Sequence, residues 1–287
     1  MNNSILIISC ASLDCYNDRI LLGGPVSYGG RILDILSCNY MTIAKVGKDF
    51  LFGDYYKKNI KNSVIIKSNK CTLFFTSYKN GVRYQKVLSK SNKFKFEEIP
   101  KNLLNSRFIL LSPIVDDMPL EFIKKMRKNT RSIICIDPFN NDNGKFSNKQ
   151  RRYFIEVTKF ADLIKISENE LKGLFKDNIK RSLNKIRSFN NLFLITRGKK
   201  GVFIYKKDKV NKLFPIIKIK PIIDTTGCGD IFICAFLYGL SKRYKIDDCV
   251  LFGNVCAGLS VKGFGLDSLP NKDDIIKKFN EVKNVNF

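Results

Sequence analysis

Short apolar runs of strand length alternate with segments of helical period through the middle of this chain, and that alternation limits the folds open to it. FILLSP and SIICIDP are strand-like runs ending in turn residues. Between them, PLEFIKKMRKN repeats its apolar residues at helical spacing. DLIKIS, NLFLITRG and GVFIYKK extend the strand set. Strands that alternate with helices predict a parallel sheet covered by helices on both faces. Near the N-terminus SILIISC reads as the first strand, and Ile32, Leu33, Ile35 and Leu36 mark a helix behind it. CTLFFTSY and RYQKVLS flank the turn KNG and read as a hairpin. The stretches at about 13–25 and 64–90 do not follow the alternation. They are expected to form a small β lid within a single domain spanning 1–287.

Composition removes whole classes of chemistry. The 287 residues include no histidine, which eliminates His-based triads, His–metal sites and imidazole general bases. Proton transfer therefore falls to Asp, Glu, Lys, Tyr or Cys. Nine cysteines, none in C-x-x-C, favour reduced thiols and a cytoplasmic location. Hydrophobic residues make up 44% of the chain, enough for a packed core. No apolar run reaches the roughly 18 residues that span a bilayer, so no membrane partner is expected. MNNSILIISC has no basic leader and reads as a strand rather than a signal peptide. The formal charge of +25 invites a nucleic-acid reading, but the excess is spread along the chain and no basic motif interleaved with aromatics stands out. A solvated lysine surface is the plainer reading, and no nucleic-acid partner is expected.

The stretch DTTGCGDIFICAFLYGL, residues 224–240, carries the strongest chemical signal. IIKIKPII, residues 216–223, reads as a strand leading into it, and IFICAFLYGL is apolar all round, as a buried helix is. The loop Thr225 to Gly229 is then expected at a strand-to-helix turn. A helix start exposes backbone N–H groups and a partial positive charge. Gly227 and Gly229 let that backbone approach a ligand closely. Together these features suit a phosphate group. Asp230 either accepts the proton of an attacking hydroxyl or caps the helix. No Gly-Lys-Ser/Thr follows the glycines, which excludes a P-loop.

The same stretch resembles the C-terminal signature of the PfkB, or ribokinase-like, sugar kinase family, usually D-T-x-G-A-G-D. Other segments agree in order along nearly the whole chain: GGPVSYGGRILDIL, AKVGKDFLFGD, ADLIKISENELKGL, ITRGKKGVFIY and FGNVCAGLSVKGFG. The resemblance implies an α/β fold: a doubly wound, mainly parallel sheet with helices on both faces and a small β lid. It implies transfer of the γ-phosphate of ATP, with Mg2+, to a hydroxyl of a sugar, polyol or nucleoside. The alternative is a catalytically inactive sugar- or nucleotide-binding regulatory protein of the same fold. A homodimer through the β lid is the assembly this architecture would allow.

Carried over residue by residue, the resemblance makes Asp230 the catalytic base and Gly227, Cys228 and Gly229 the anion hole. Asp224 orders the loop, and Thr225 or Thr226 reaches a nucleotide phosphate or satisfies loop backbone. Glu170 matches the glutamate that holds magnesium through water, with a solvated carboxylate as the plain reading. Thr196, Gly198 and Gly201 match a nucleotide-binding turn or serve as ordinary turn residues. Asn254 and Gly258 line the adenine pocket or pack a helix, and Gly263 and Gly265 shape the next turn. On the acceptor side stand Asp14, Gly23, Gly24, Ser27, Tyr28 and Asp137, the last with Asn140, while Arg83 reads as a surface arginine. Three positions depart from the family. Ser167 replaces the asparagine of N-x-x-E, and Tyr28 stands where the family often has asparagine. The second departure points to a different acceptor, such as a cyclitol or nucleoside. Cys228 replaces a small residue at a helix start, where a thiol is acidified.

Overall fold

The computed structural model describes residues 4–16, 19–79, 82–139 and 145–284. The chain opens with β1 (Ile5–Cys10), β2 (Ser12–Cys15), β3 (Ile20–Gly23), α1 (Pro25–Ile35), β4 (Tyr40–Gly47), α2 (Gly53–Asn59) and β5 (Ser63–Ser68). The hairpin β6 (Thr72–Lys79) and β7 (Val82–Ser89) follows. Next come β8 (Phe108–Leu111), α3 (Leu120–Asn129), β9 (Ile133–Ile136), α4 (Asn148–Thr158), β10 (Leu163–Ser167), α5 (Glu168–Phe175) and α6 (Ile179–Ile186). The last part holds β11 (Leu192–Thr196), β12 (Val202–Lys206), β13 (Val210–Phe214), α7 (Cys228–Ser241), α8 (Ile246–Ser260) and α9 (Lys272–Asn284).

Among the described residues the strands form two sheets. The larger has the order β13-β12-β11-β10-β9-β8-β1-β4-β5. β1 pairs in parallel with both β4 and β8, so the chain builds one wing from β1 and later returns to build the other. That reversal is a switch point, where a doubly wound sheet opens a crevice at the carboxyl ends of its strands. β8, β9, β10 and β11 continue in parallel. β12 and β13 are antiparallel, because the turn from Thr196 to Val202 is too short for a crossover helix. The smaller sheet has the order β3-β2-β6-β7. β2 continues directly from β1, so the lid is rooted in an interior strand of the main sheet, the one at the switch point. Of the stretches assigned to the lid by sequence, residues 64–68 belong instead to β5 of the main sheet, paired with β4, and Pro25 already opens α1.

Helices cover both faces for a reason visible in the strands. β1 is buried at all its positions, which alternation alone would not produce. On one face α7 packs with α1 and α8 over Ile5, Ile7 and Ala44. On the other face α3 turns Phe122, Ile123 and Met126 inward, and α5 and α6 cover the wing around Ile164 and Phe193. Each large apolar side chain buried this way contributes about 1.5–3 kcal/mol. α7 buries every residue from Ile231 to Gly239, so the core itself fixes the position of its N-terminus.

The run 216–223 is not a strand. Its alternating pattern is real, but its partner is a helix. Ile217 is buried in the core, and Ile219 lies against Gly258 of α8. Pro215 and Pro221 lack the amide hydrogens a ladder needs. α7 is therefore entered from an extended, unpaired segment whose Ile223 amide donates to the carbonyl of Val261, 2.8 Å away.

Candidate active site

The loop before α7 is ordered by one carboxylate. Asp224 is buried, and its Oδ1 accepts from the Thr226 amide at 3.1 Å and from Thr226 Oγ1 at 2.9 Å. This is the ordering role the sequence offered for Asp224. The Cys228 amide donates to the Thr225 carbonyl at 3.3 Å, closing a turn, so that amide is engaged within the loop. Gly227 precedes α7 at φ 76°, in the left-handed region that favours glycine. Gly227 and Gly229 leave the amides of the first helical turn uncovered by side chains, the arrangement that attracts anions. Asp230 lies in that turn and is half-buried. Cys228 is half-buried, with Sγ 3.6 Å from the Ala257 carbonyl and 3.8 Å from Ser260 Oγ. Thr225 is exposed.

The N-terminal glycine pair meets this loop although some 200 residues separate them. A Cβ on Gly227 would run into the ring of Tyr28, which is 2% exposed. Burial raises the Tyr28 hydroxyl well above its ordinary pKa, and the charges of Asp14, Asp224 and Asp230 push it further. Tyr28 thus sits between the two expected halves of the site. Asp14, in β2, is 4% exposed, and its carboxyl lies over Gly23, where a Cβ would collide with it. Gly24 has φ 91° and packs against the backbone of Cys10 and Ser12. Ser27 is fully buried and donates to the Gly23 carbonyl at 2.7 Å, so its hydroxyl is used within the fold. From the lid, Tyr16 OH shares a hydrogen bond with Thr226 Oγ1 at 3.2 Å, and Arg19 lies over the Phe264 ring at 5.1 Å. Asn140 and the side chain of Arg83 lie outside the described residues.

A buried charge cluster lies beside the first turn of α7. Lys165, in the middle of β10, is 8% exposed, and its Nζ donates to Asp137 Oδ2 at 2.7 Å. Asp137 stands just past β9 and serves as the partner of this lysine. Burial alone lowers the Lys165 pKa, but the charges of Asp137, Glu170 and Asp230 outweigh it and hold the ammonium above its usual value. Glu170 is 4% exposed in α5, and its Oε2 accepts from the Ser167 amide at 2.8 Å. Ser167 Oγ in turn accepts from the Glu170 amide at 3.2 Å, a reciprocal cap on α5. The serine that replaces the expected asparagine is thus a helix cap. Desolvation raises the Glu170 pKa to about 7, with Lys165 pulling it down and Asp137 pushing it up.

Nearby, Ser167, Asn169, Lys172, Thr196, Arg197, Gly198 and Lys200 line a cleft of about 300 Å³. Thr196 ends β11, and Gly198 has φ 52° with open space where a Cβ would point. Gly201 has φ 89°, and a Cβ there would strike the Phe214 carbonyl. Glu168 binds Arg197 at 2.5 Å, with Lys172 and Lys200 at 3.8 and 3.9 Å. Asn254 and Gly258 lie on α8 beneath the 215–223 segment. The Asn254 amide donates to the Pro215 carbonyl at 3.3 Å, and Gly258 packs on Ile219. Both therefore hold the 215–223 segment against α8.

The sequence matches the family model described as pfkB family carbohydrate kinase over residues 31–273. The chain belongs to that family. Among curated relatives, a ribokinase from Lactococcus lactis is 25% identical over 252 residues, covering 84% of this chain and 79% of its own. A nucleoside kinase from Methanocaldococcus jannaschii is 26% identical over 277 residues, covering 93% and 88%. Among solved structures, Arabidopsis thaliana ribokinase complexed with ribose and ATP superposes with a TM-score of 0.77 at 16% identity, covering 97% of this chain and 99% of that one. The fold is thus ribokinase-like. No helix among the described residues is long and apolar enough to cross a membrane.

Family membership raises the question of a metal. Among the described residues no group of three or more Asp, Glu or Cys side chains could hold an ion. The residues fit only a cation that takes most of its ligands from water and phosphate, with Glu170 as the adjacent carboxylate. The residue passed over by sequence reasoning is Lys165. Its signal was a charged side chain inside the apolar run DLIKIS, where burial without a partner is prohibitive.

Proposed function

We propose that this pfkB-family protein is an ATP-dependent kinase that phosphorylates a hydroxyl of a sugar, polyol or nucleoside. The observation that carries the reading is Tyr28. It is packed on Gly227, and the charges of Asp14, Asp224 and Asp230 all act on its hydroxyl, which supports a site shared by the acceptor-side carboxylate and the residue expected as base. In this reading the triphosphate lies along the cleft at Thr196 and Gly198, and its terminal phosphate meets the glycine-flanked start of α7. Asp14 accepts hydrogen bonds from acceptor hydroxyls. Asp230 takes the proton of the attacking hydroxyl as its oxygen bonds to the terminal phosphorus. The bond from that phosphorus to the bridging oxygen breaks, and ADP leaves with the electron pair. Glu170 would hold a magnesium ion through water, and the ion, when bound, would supply positive charge that offsets the phosphates. The lid excludes water, and its contact from Tyr16 to Thr226 links it to the phosphate loop.

The test is ATP turnover against a panel of pentoses, hexoses, inositols and nucleosides. At least one acceptor should stimulate ADP release. Asp230→Asn should keep the wild-type melting temperature and lose about 10²–10⁴-fold in turnover. No stimulation by any acceptor, or an undiminished rate in Asp230→Asn, would overturn the assignment.

A further inference from the structure

We propose that Lys165 is the cationic floor of the phosphate cradle, reaching the terminal phosphate of the nucleotide past Gly229; this rests on the kinase reading above. Lys165 Nζ lies 2.8 Å from the point where a Gly229 side chain would begin. The ammonium is therefore against the first turn of α7, on the side that glycine leaves open. Asp137 holds it there through a 2.7 Å ion pair in which the lysine side chain is 10% exposed and the aspartate 4%.

A purely structural role explains this arrangement poorly. A buried ion pair is seldom a net source of stability, and an apolar pair of equal volume often serves as well or better. The neighbours of Lys165 in β10 are apolar: Leu163, Ile164 and Ile166 are all buried. The charge environment supplies a stronger reason. The charges of Asp137, Glu170 and Asp230 all act on Lys165, and Asp137 is in direct contact with it at 2.7 Å. A triphosphate entering that field adds further negative charge. A fixed ammonium offsets it where water is scarce and charge interactions are strong. Gly229 then has two functions: its amide faces the ligand, and its missing side chain leaves room for the ammonium. Asp137 acts through Lys165 as a positioning residue, not as a contact to the acceptor.

The test combines binding with turnover. Isothermal titration in magnesium buffer measures the affinity of AMP-PNP and of ADP for wild type, Lys165→Met and Lys165→Arg. Lys165→Met should lose at least tenfold in AMP-PNP affinity relative to ADP, with Lys165→Arg recovering part of the loss. With an accepted substrate, Lys165→Met should lower kcat about 10²–10³-fold, the loss seen when one stabilising donor is removed from an anion hole. The acceptor KM should change little. Because Lys165→Met strands Asp137, the double variant Lys165→Met/Asp137→Leu restores an apolar pair and separates folding from charge. If the folded double variant keeps the wild-type AMP-PNP to ADP ratio, Lys165 does not face the terminal phosphate and the inference falls. A wild-type protein that turns over no acceptor defeats the kinase reading instead, and the binding ratio still decides the role of Lys165.

Discussion

Gly227→Ala is the sharpest probe of how the two ends of the sequence meet. Two separate penalties act at this position. The backbone is left-handed at φ 76°, which costs a residue with a Cβ about 1–2 kcal/mol. The new methyl group would also meet the face of Tyr28, a fully packed side chain at 2% exposure, and overpacking of this kind costs about 1–3 kcal/mol. Together they predict a loss of about 2–5 kcal/mol. For a domain of this size that corresponds to a fall of roughly 4–10 °C in melting temperature. Gly198→Ala is the internal control. Gly198 is also left-handed, at φ 52°, but has nothing within 4 Å of the new methyl group, so only the first penalty applies. The measurement is thermal unfolding followed by circular dichroism or calorimetry for both variants. Gly227→Ala should be the more destabilised by about 1–3 kcal/mol, and Tyr28→Leu in the same chain should remove most of that excess. Equal melting temperatures for the two alanine variants would show that Tyr28 does not press on the phosphate loop, and the convergence argument would fail.

Three other measurements bear on the site. Alkylation of Cys228 by iodoacetamide should inactivate the enzyme, with ATP protecting it, since the half-buried thiol opens α7; full activity after confirmed labelling would contradict its placement. Glu170 is raised to about 7 in the fold against an ordinary value near 4.5, so its neutral form is the stabilised one. Its contribution is complete below about pH 4.5 and is lost as pH rises through 7, so Glu170→Gln should gain stability relative to wild type across that window. A constant difference between the two melting curves from pH 4.5 to 7.5 would contradict the burial of that carboxyl. Asn254→Ala should cost about 0.5–1.5 kcal/mol, the worth of its bond to Pro215, and leave the KM for ATP within about twofold. A large rise in that KM would return Asn254 to the nucleotide pocket.

Much of the fold was legible because its signals are local. The central strands are short apolar runs, and the helix between β8 and β9 carries the spacing that buries one face, so both could be placed from sequence. The segment 216–223 could not. Alternation records which side of an extended chain is buried and says nothing about the partner, and here Ile217 and Ile219 pack on α8. The expected lid boundary failed for a similar reason: β5 has strand composition, and only pairing assigns it to β4 rather than to β6.

The site divides along the same line. Glycines and carboxylates in short motifs pointed to the start of α7, because a helix N-terminus is a local electrostatic object. Ser167 shows the limit of motif reading: it departs from the motif's asparagine, yet its hydroxyl and the Glu170 carboxylate form a reciprocal cap. Lys165 shows a deeper limit. Its burial depends on Asp137, 28 positions earlier, and its exposure to the cradle depends on Gly229, on a third element. No single motif contains that triangle. A charge at the centre of an apolar strand is nevertheless a usable signal, because the fold must supply it with a counterion. Where that charge lies against the glycine-flanked start of a helix, as Lys165 does at Gly229, it is available to a ligand that arrives there.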